Sequence, residues 1–169
     1  SYVLARALGI SKAIILKTLG AYSGAWRRSE YRGEFMGASV FDDYGHHPTE
    51  IKATLAGFRE KYRGANIICV FQPHQRERLR ILFKDFTKAF DVANKLILLE
   101  VYGVAGRDDL KLEIGSLNLA KAIFDRSHKE VLVANNLEEL KNDIKMRLVS
   151  DKKNIIIMMG AGSINEYTD

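Results

Sequence analysis

Phe41-Asp42-Asp43-Tyr44-Gly45-His46-His47-Pro48-Thr49-Glu50 separates an apolar run from an amphipathic one. It reads as a strand end, a tight loop and a helix start. Pro48 suits a first helical position, where its missing N–H leaves no bond unmade. Glu50 then falls in the first turn, where the helix dipole favours a negative charge. Carboxylates, a phenol and two imidazoles are thereby gathered at the carboxyl end of a strand, where open α/β sheets bind ligands.

Upstream, residues 2–8 and 11–20 carry helical spacing, with Ser11 placed to cap the second helix and Gly20 to end it. A loop from Tyr22 ends in the basic pair Arg27-Arg28. Glu30 to Phe35 and Ala38 to Asp43 read as a hairpin around Met36-Gly37. Downstream, Ile51, Leu55 and Phe58 recur at helical spacing to about Tyr62, and Gly64 breaks the pattern. Asn66 to Phe71, Lys95 to Val101 and Asn154 to Met159 are apolar runs of the kind that form strands buried on both faces. Leu79, Leu82, Phe83, Phe86 and Phe90 predict one amphipathic helix, and Ser116 opens another through about Arg126. Tyr102 to Gly115 reads as a polar loop and Glu130 to Ala134 as a short strand. Asn136 and Glu139 have capping-box spacing for a helix ending near Leu148. Alternating strands and helices after residue 38 predict an α/β fold with a mostly parallel sheet of about six strands and helices on both faces.

The 169 residues suffice for one domain of ordinary size, and 47% hydrophobic content can supply its core. No apolar run approaches the ~18 residues of a membrane span, and no signal-peptide pattern is present. Cys69, the sole cysteine, permits no internal disulfide and reads as a small core residue in a reducing cytoplasm. The net charge of +5 is dispersed among acidic residues, which suits an anionic small molecule better than a nucleic acid. A start at Ser1 and a stop just after a glycine-rich turn suggest a piece of something longer.

Spacing alone leaves Asp42, Asp43, Tyr44, His46 and His47 with three readings. They could form a solvated turn, a divalent-metal cluster, or a ligand site in which a carboxylate binds ribose hydroxyls. An imidazole there could bind an anion or shuttle a proton. Gln72-Pro73-His74-Gln75-Arg76-Glu77-Arg78-Leu79-Arg80 follows the next buried strand. Arg76 and Arg80 share a helix face, either solvated or acting as an anion clamp, and Arg78 points elsewhere. Gly160-Ala161-Gly162-Ser163 could bring bare backbone to a phosphate. It is not a full G-x-G-x-x-G, and no G-x-x-x-x-G-K-[ST] occurs, so the chain has no P-loop of its own.

Arg27-Arg28, Asp42 to Glu50, Phe71-Gln72-Pro73-His74 and Met159-Gly160-Ala161-Gly162 stand in the order and spacing of the Mur ligases, which the chain resembles over nearly its whole length. The resemblance is strongest to members that join L-alanine to UDP-N-acetylmuramate. It implies that residues 1–22 are the terminal helices of a central domain, which in the family carries the P-loop and the Mg2+ ligands. Residues 23–169 would then be the C-terminal, Rossmann-like domain that closes over ATP and receives the amino acid. A first domain would bind the UDP-sugar. The implied reaction is phosphorylation of the muramate carboxylate by ATP to an acyl phosphate, then attack by the amine, in cytoplasmic peptidoglycan precursor synthesis. Carried over by residue, Asp43 would bind the ATP ribose and Arg27 or Arg28 would contact ATP. Tyr44, His46 and His74 would line the muramate carboxylate and L-alanine site, and Arg78 would belong to the substrate clamp. No catalytic residue and no metal ligand is assigned to this chain, which alone should be inactive. Three positions depart from the family pattern. Gln75 stands where an arginine is usual, Ser29 replaces an aromatic residue, and Ser163-Ile164-Asn165 replaces the more usual Asp-Ile after G-A-G. The alternatives are a related murein-peptide ligase, a metal-dependent phosphoesterase using Asp42, Asp43, His46, His47 and His74, and a non-catalytic nucleotide-binding module. Against the phosphoesterase, adjacent residues on a strand face opposite ways.

Overall fold

The structure, a computed structural model, describes residues 1–22, 24–103 and 114–168. Two short helices, α1 (Tyr2–Ala7) and α2 (Lys12–Gly20), come first. Ser11 caps α2 by accepting from the Ile14 N–H. The pair is thinly packed: α1 buries none of its residues, and α2 buries only Ile15.

The hairpin forms as the sequence predicts, with β1 (Glu30–Phe35) antiparallel to β2 (Ala38–Asp43). Met36 and Gly37 both adopt positive φ (51° and 80°), as the tight hairpin turn requires. A register shift between Tyr31 and Gly33 places a bulge in β1. Beyond β2 run α3 (Pro48–Lys61), β3 (Asn66–Phe71), α4 (Arg76–Ile81), α5 (Phe83–Phe86) and β4 (Lys95–Leu99). Then come α6 (Ser116–Ser127), β5 (Val131–Ala134), α7 (Leu137–Arg147), β6 (Asn154–Met159) and a 3-10 turn over Ser163–Tyr167.

Two expected elements differ. The helix expected through Phe90 is broken at Leu82, which leaves helical φ/ψ between α4 and α5. The turn lets Phe86 and Phe90 both close on the Phe71 ring, with centroids 5.7 and 5.1 Å away. β4 stops at Leu99 rather than Val101. Most of the expected loop from Tyr102 to Gly115 lies outside the described residues.

Six strands lie in the order β1-β2-β6-β3-β4-β5, all parallel from β2 onward. Strands β3, β4 and β6 are buried along nearly their whole length, as their unbroken apolar runs demand. Residues of α3, α4, α5 and α6 cover one face, joining Phe41, Ile67, Cys69, Phe71, Leu96 and Ile157 in the larger core. Leu140 and Ile144 of α7 and Ile164 of the 3-10 turn cover the other, over Ile68, Val70, Ile97 and Ile156. The chain therefore advances β2 to β3 to β4 to β5 along one face and returns to β6 along the other. After β2 and β3 it leaves toward the first face, and after β6 toward the second. The carboxyl ends of β2, β6 and β3 are thus a point of divergence, where such sheets open a crevice.

Candidate functional site

Asp42 and Asp43 end β2, and register sets Asp43 beside Met159 of β6, which in turn lies beside Phe71 of β3. Backbone bonds continue the ladder beyond the strands: Gly160 N–H donates to Asp43 O, and Gln72 N–H to Met159 O.

Neighbouring carboxylates diverge, as the pleat dictates. Asp42 accepts from Arg27 Nε (2.8 Å) and Nη2 (3.3 Å). Arg27 Nη2 also donates to Gly160 O (2.7 Å) and Nη1 to Gly162 O (3.5 Å). This guanidinium is 3% exposed. It joins the end of β2 to the turn after β6, with the Trp26 and Tyr44 rings 5.7 and 5.2 Å from its Cζ. Burial pushes the Asp42 carboxyl above its usual range, against the hydrogen bonds and charge of Arg27. Asp43 lies on the other side, also 3% exposed. Its Oδ2 accepts from the Ser29 N–H and Oγ, and its Oδ1 from the Gly45 N–H and Thr54 Oγ1.

His47 serves the helix. Its Nδ1 accepts from the Thr49 N–H while Glu50 accepts from His46 and His47 N–H, a complete capping box at the start of α3. Burial raises the Glu50 carboxyl, but those two N–H donors, His46 and Arg28 outweigh it and hold it below its usual range. The divergence of Asp42, Asp43 and His47 corrects the metal-cluster reading. Among the described residues no three His, Cys, Asp or Glu side chains converge.

What does converge is a row of rings along the carboxyl rim. Tyr44 meets His46 edge-on at 5.4 Å, His46 lies 6.1 Å from His74, and His74 stacks on Tyr102 at 5.6 Å. Arg78 Nη1 sits 3.4 Å from His74 Nδ1. Arg28 is half exposed, its Cζ 5.8 Å from the Tyr44 ring and its Nη1 3.8 Å from Glu50. Arg76 and Arg80 do not form the expected clamp. Arg76 donates to Ile114 O and Glu100, whereas Arg80 pairs with Glu77. Arg78, off the helix face of that pair and assigned to the substrate clamp by the resemblance, lies beside His74 on the rim.

The reading of Gly160-Ala161-Gly162 as a phosphate cradle is also corrected. A Cβ on Gly160 would lie 2.9 Å from Gln72 O, and one on Gly162 2.6 Å from Tyr102 Cγ and 2.7 Å from Gln72 Oε1. The glycines admit protein. Gln72 Oε1 in turn accepts from the Ile164 N–H and ties the turn to β3. Tyr102, Gln72 and Trp26 were not among the expected site residues. Tyr102's one sequence signal is its place just after a buried strand, as Tyr44 and His74 stand after theirs.

Residues 27–162 match the family model described as Mur ligase, glutamate ligase domain. Over 164 residues the chain is 39% identical to UDP-N-acetylmuramate--L-alanine ligase of Agrobacterium fabrum, a match covering 97% of the chain and 34% of the relative. It is 35% identical over 163 residues to the Aquifex aeolicus protein of the same name, covering 96% and 34%. The chain thus spans about a third of the length of these relatives. Among solved structures, UDP-N-acetylmuramate-alanine ligase MurC of Thermotoga maritima superposes with a TM-score of 0.74 at 24% identity, over 98% of this chain and 34% of that one. MurF ligase of the same organism, in complex with ADP, gives 0.63 at 15% identity over the same shares. Both structures share the fold, and with the match to the family model over most of its length the chain belongs to the Mur ligase family.

Proposed function

We propose that the chain is the C-terminal domain of a cytoplasmic ligase that uses ATP to join L-alanine to UDP-N-acetylmuramate. The observation that carries this is the rim itself, where Tyr44, His46, His74 and Arg78 come from two strand ends onto one row. Its donors and cation suit a carboxylate and the acyl phosphate made from it. The names of the relatives agree.

Of the arginine pair, Arg28 is the accessible one and would meet the nucleotide, while Arg27 is committed to Asp42. Asp43 fits a ribose by exchange. Its two backbone donors are fixed, but Ser29 Oγ and Thr54 Oγ1 are rotatable hydroxyls, and a ribose diol offers the same O–H groups. The nucleotide supplies the phosphoryl group that activates the muramate carboxylate. Arg78 and His74 would hold that carboxylate, with Tyr44 and His46 flanking the amino acid. Among the described residues no three His, Cys, Asp or Glu side chains form a metal site, and Mg2+ would be held mainly by the P-loop domain. The UDP-sugar domain and the P-loop domain would be other parts of the same enzyme. Residues 1–22 fit the end of the P-loop domain. The family match begins only at residue 27, and Val3, Leu4, Leu8, Ile14 and Leu16 are exposed apolar groups.

The test is ligation by the full-length gene product. Phosphate release should require ATP, UDP-N-acetylmuramate and L-alanine together, and this chain alone should release none. Release independent of L-alanine, or turnover by the chain alone, would refute the proposal.

A further inference from the structure

We infer that Glu50 is a positioning residue that, together with Tyr44 O, holds His46 as its Nδ1–H tautomer, leaving Nε2 to accept the proton of the incoming amine. The second half rests on the ligase reading above. His46 Nδ1 lies 3.1 Å from Tyr44 O and 3.7 Å from Glu50 Oε2. A carbonyl and a carboxylate offer that nitrogen no proton, so it must carry the hydrogen itself. Glu50 is fixed for the task because its Oε2 also accepts from the His46 and His47 N–H groups. The adjacent imidazole is set in the opposite sense: His47 Nδ1 accepts from the Thr49 N–H, so its hydrogen is on Nε2. Of the two neighbours, only His46 offers an Nε2 lone pair, and only His46 stands in the row of rings, between Tyr44 and His74.

An amino acid reaches the enzyme as an ammonium ion, which has no lone pair with which to attack. The charged and titratable groups around His46 are Glu50 at 3.7 Å, Arg28 at 3.8 Å from Glu50, Tyr44 and Arg27 beside it, and His74 with Arg78. The three arginines oppose the positive charge that the neutral ring gains on taking a proton, and Glu50 compensates for part of that. His46 Nε2 takes one ammonium proton. The freed lone pair forms the C–N bond to the acyl-phosphate carbonyl carbon, and the C–O bond breaks with its electrons going to phosphate. The departing phosphate takes the second N–H proton.

The test starts from two-bond 1H–15N correlation spectra of the labelled chain. Above their titration midpoints His46 should show the Nδ1–H pattern and His47 the Nε2–H pattern. Glu50→Gln keeps a capping side chain at that position and removes the charge. It should lower the His46 midpoint by about 0.5–1 pH unit, while His47 is unmoved and Tyr44 O still accepts the Nδ1 hydrogen. In the full-length gene product the acid limb of kcat should move to lower pH by the same amount with KM for ATP unchanged, and His46→Gln should abolish that limb. A wild-type His46 in the Nε2–H form, or a midpoint indifferent to Glu50→Gln, overturns Glu50's hold on the ring. An active ligase whose acid limb ignores both substitutions overturns the base role. A full-length product that ligates nothing removes the base role together with the ligase reading, and the spectra still decide the role of Glu50.

Discussion

Replacing Arg27 by methionine tests whether the buried guanidinium holds the rim together. Methionine keeps much of the side chain's length and removes the charge, leaving Asp42 at 2% exposure without its ion-pair partner. Breaking a buried pair from one side costs about 3–5 kcal/mol, because the remaining charge is neither paired nor hydrated. Asp42 can limit that loss by taking a proton, and burial already pushes its carboxyl in that direction. Gly160 O and Gly162 O also lose a donor, at about 1–3 kcal/mol for a buried acceptor left unmade. The net expectation is about 3–5 kcal/mol, a large share of the ~5–15 kcal/mol that holds an ordinary domain together. With a urea slope near 2 kcal/mol/M, the midpoint should fall by about 1.5–2.5 M. Asp42→Asn should cost less, since its guanidinium partner keeps the Gly160 and Gly162 carbonyls. The double variant should be at least ~1.5 kcal/mol more stable than the sum of the singles predicts. Arg27→Lys, which retains charge and loses the fork, should fall between and serves if the methionine variant does not fold. A midpoint shift under about 0.5 M with additive singles would refute the reasoning.

Gly162→Ala should cost about 1–3 kcal/mol by overpacking, because the new Cβ meets Tyr102 Cγ at 2.6 Å. Calorimetry should show a melting point lower by about 2–10 °C, and the His74 ring protons should shift as Tyr102 moves. Glu50 has its carboxyl held below the usual range. Its contribution should be fully present above the unfolded value near ~4.3 and vanish as pH falls through the lower folded value. The stability gap between wild type and Glu50→Gln, within about 1 kcal/mol for so exposed a group, should close as pH falls below about pH 4. Cys69 is fully buried, and burial pushes its thiol well above the usual value. A thiol reagent should therefore label it only across the urea unfolding transition, and labelling of the native chain would contradict its placement.

The fold was legible where its cause is local. Continuous apolar runs marked β3, β4 and β6, and Met36-Gly37, Pro48 and Asn136 marked a turn and two helix starts. The second arm of the Asn136 cap went astray by one residue, since Glu139 turns back to the Asn135 N–H. The break at Leu82 has no glycine or proline to announce it, being imposed by where Phe86 and Phe90 must land on Phe71. The site was legible as a list of loops and less so as a set of roles. Arg27 reads as a surface cation until its partners are known, and those lie 15 and 133 residues away. Gly160 and Gly162 look like a ligand cradle until Gln72 and Tyr102 arrive from other strands. Tyr44, His46 and His74 each stand within three residues of a strand end, a local signal, while the roles expected of them came from the resemblance.

The two outer strands of the sheet have a bearing on how the domain lives beside other chains. An unpaired strand edge is a template for intermolecular pairing unless something spoils it. β1 is bent by its bulge at Tyr31–Gly33 and studded with Glu30, Arg32 and Glu34. β5, at the far side, offers just four residues. Ragged, charged or truncated borders let the sheet sit beside other chains without seeding aggregates.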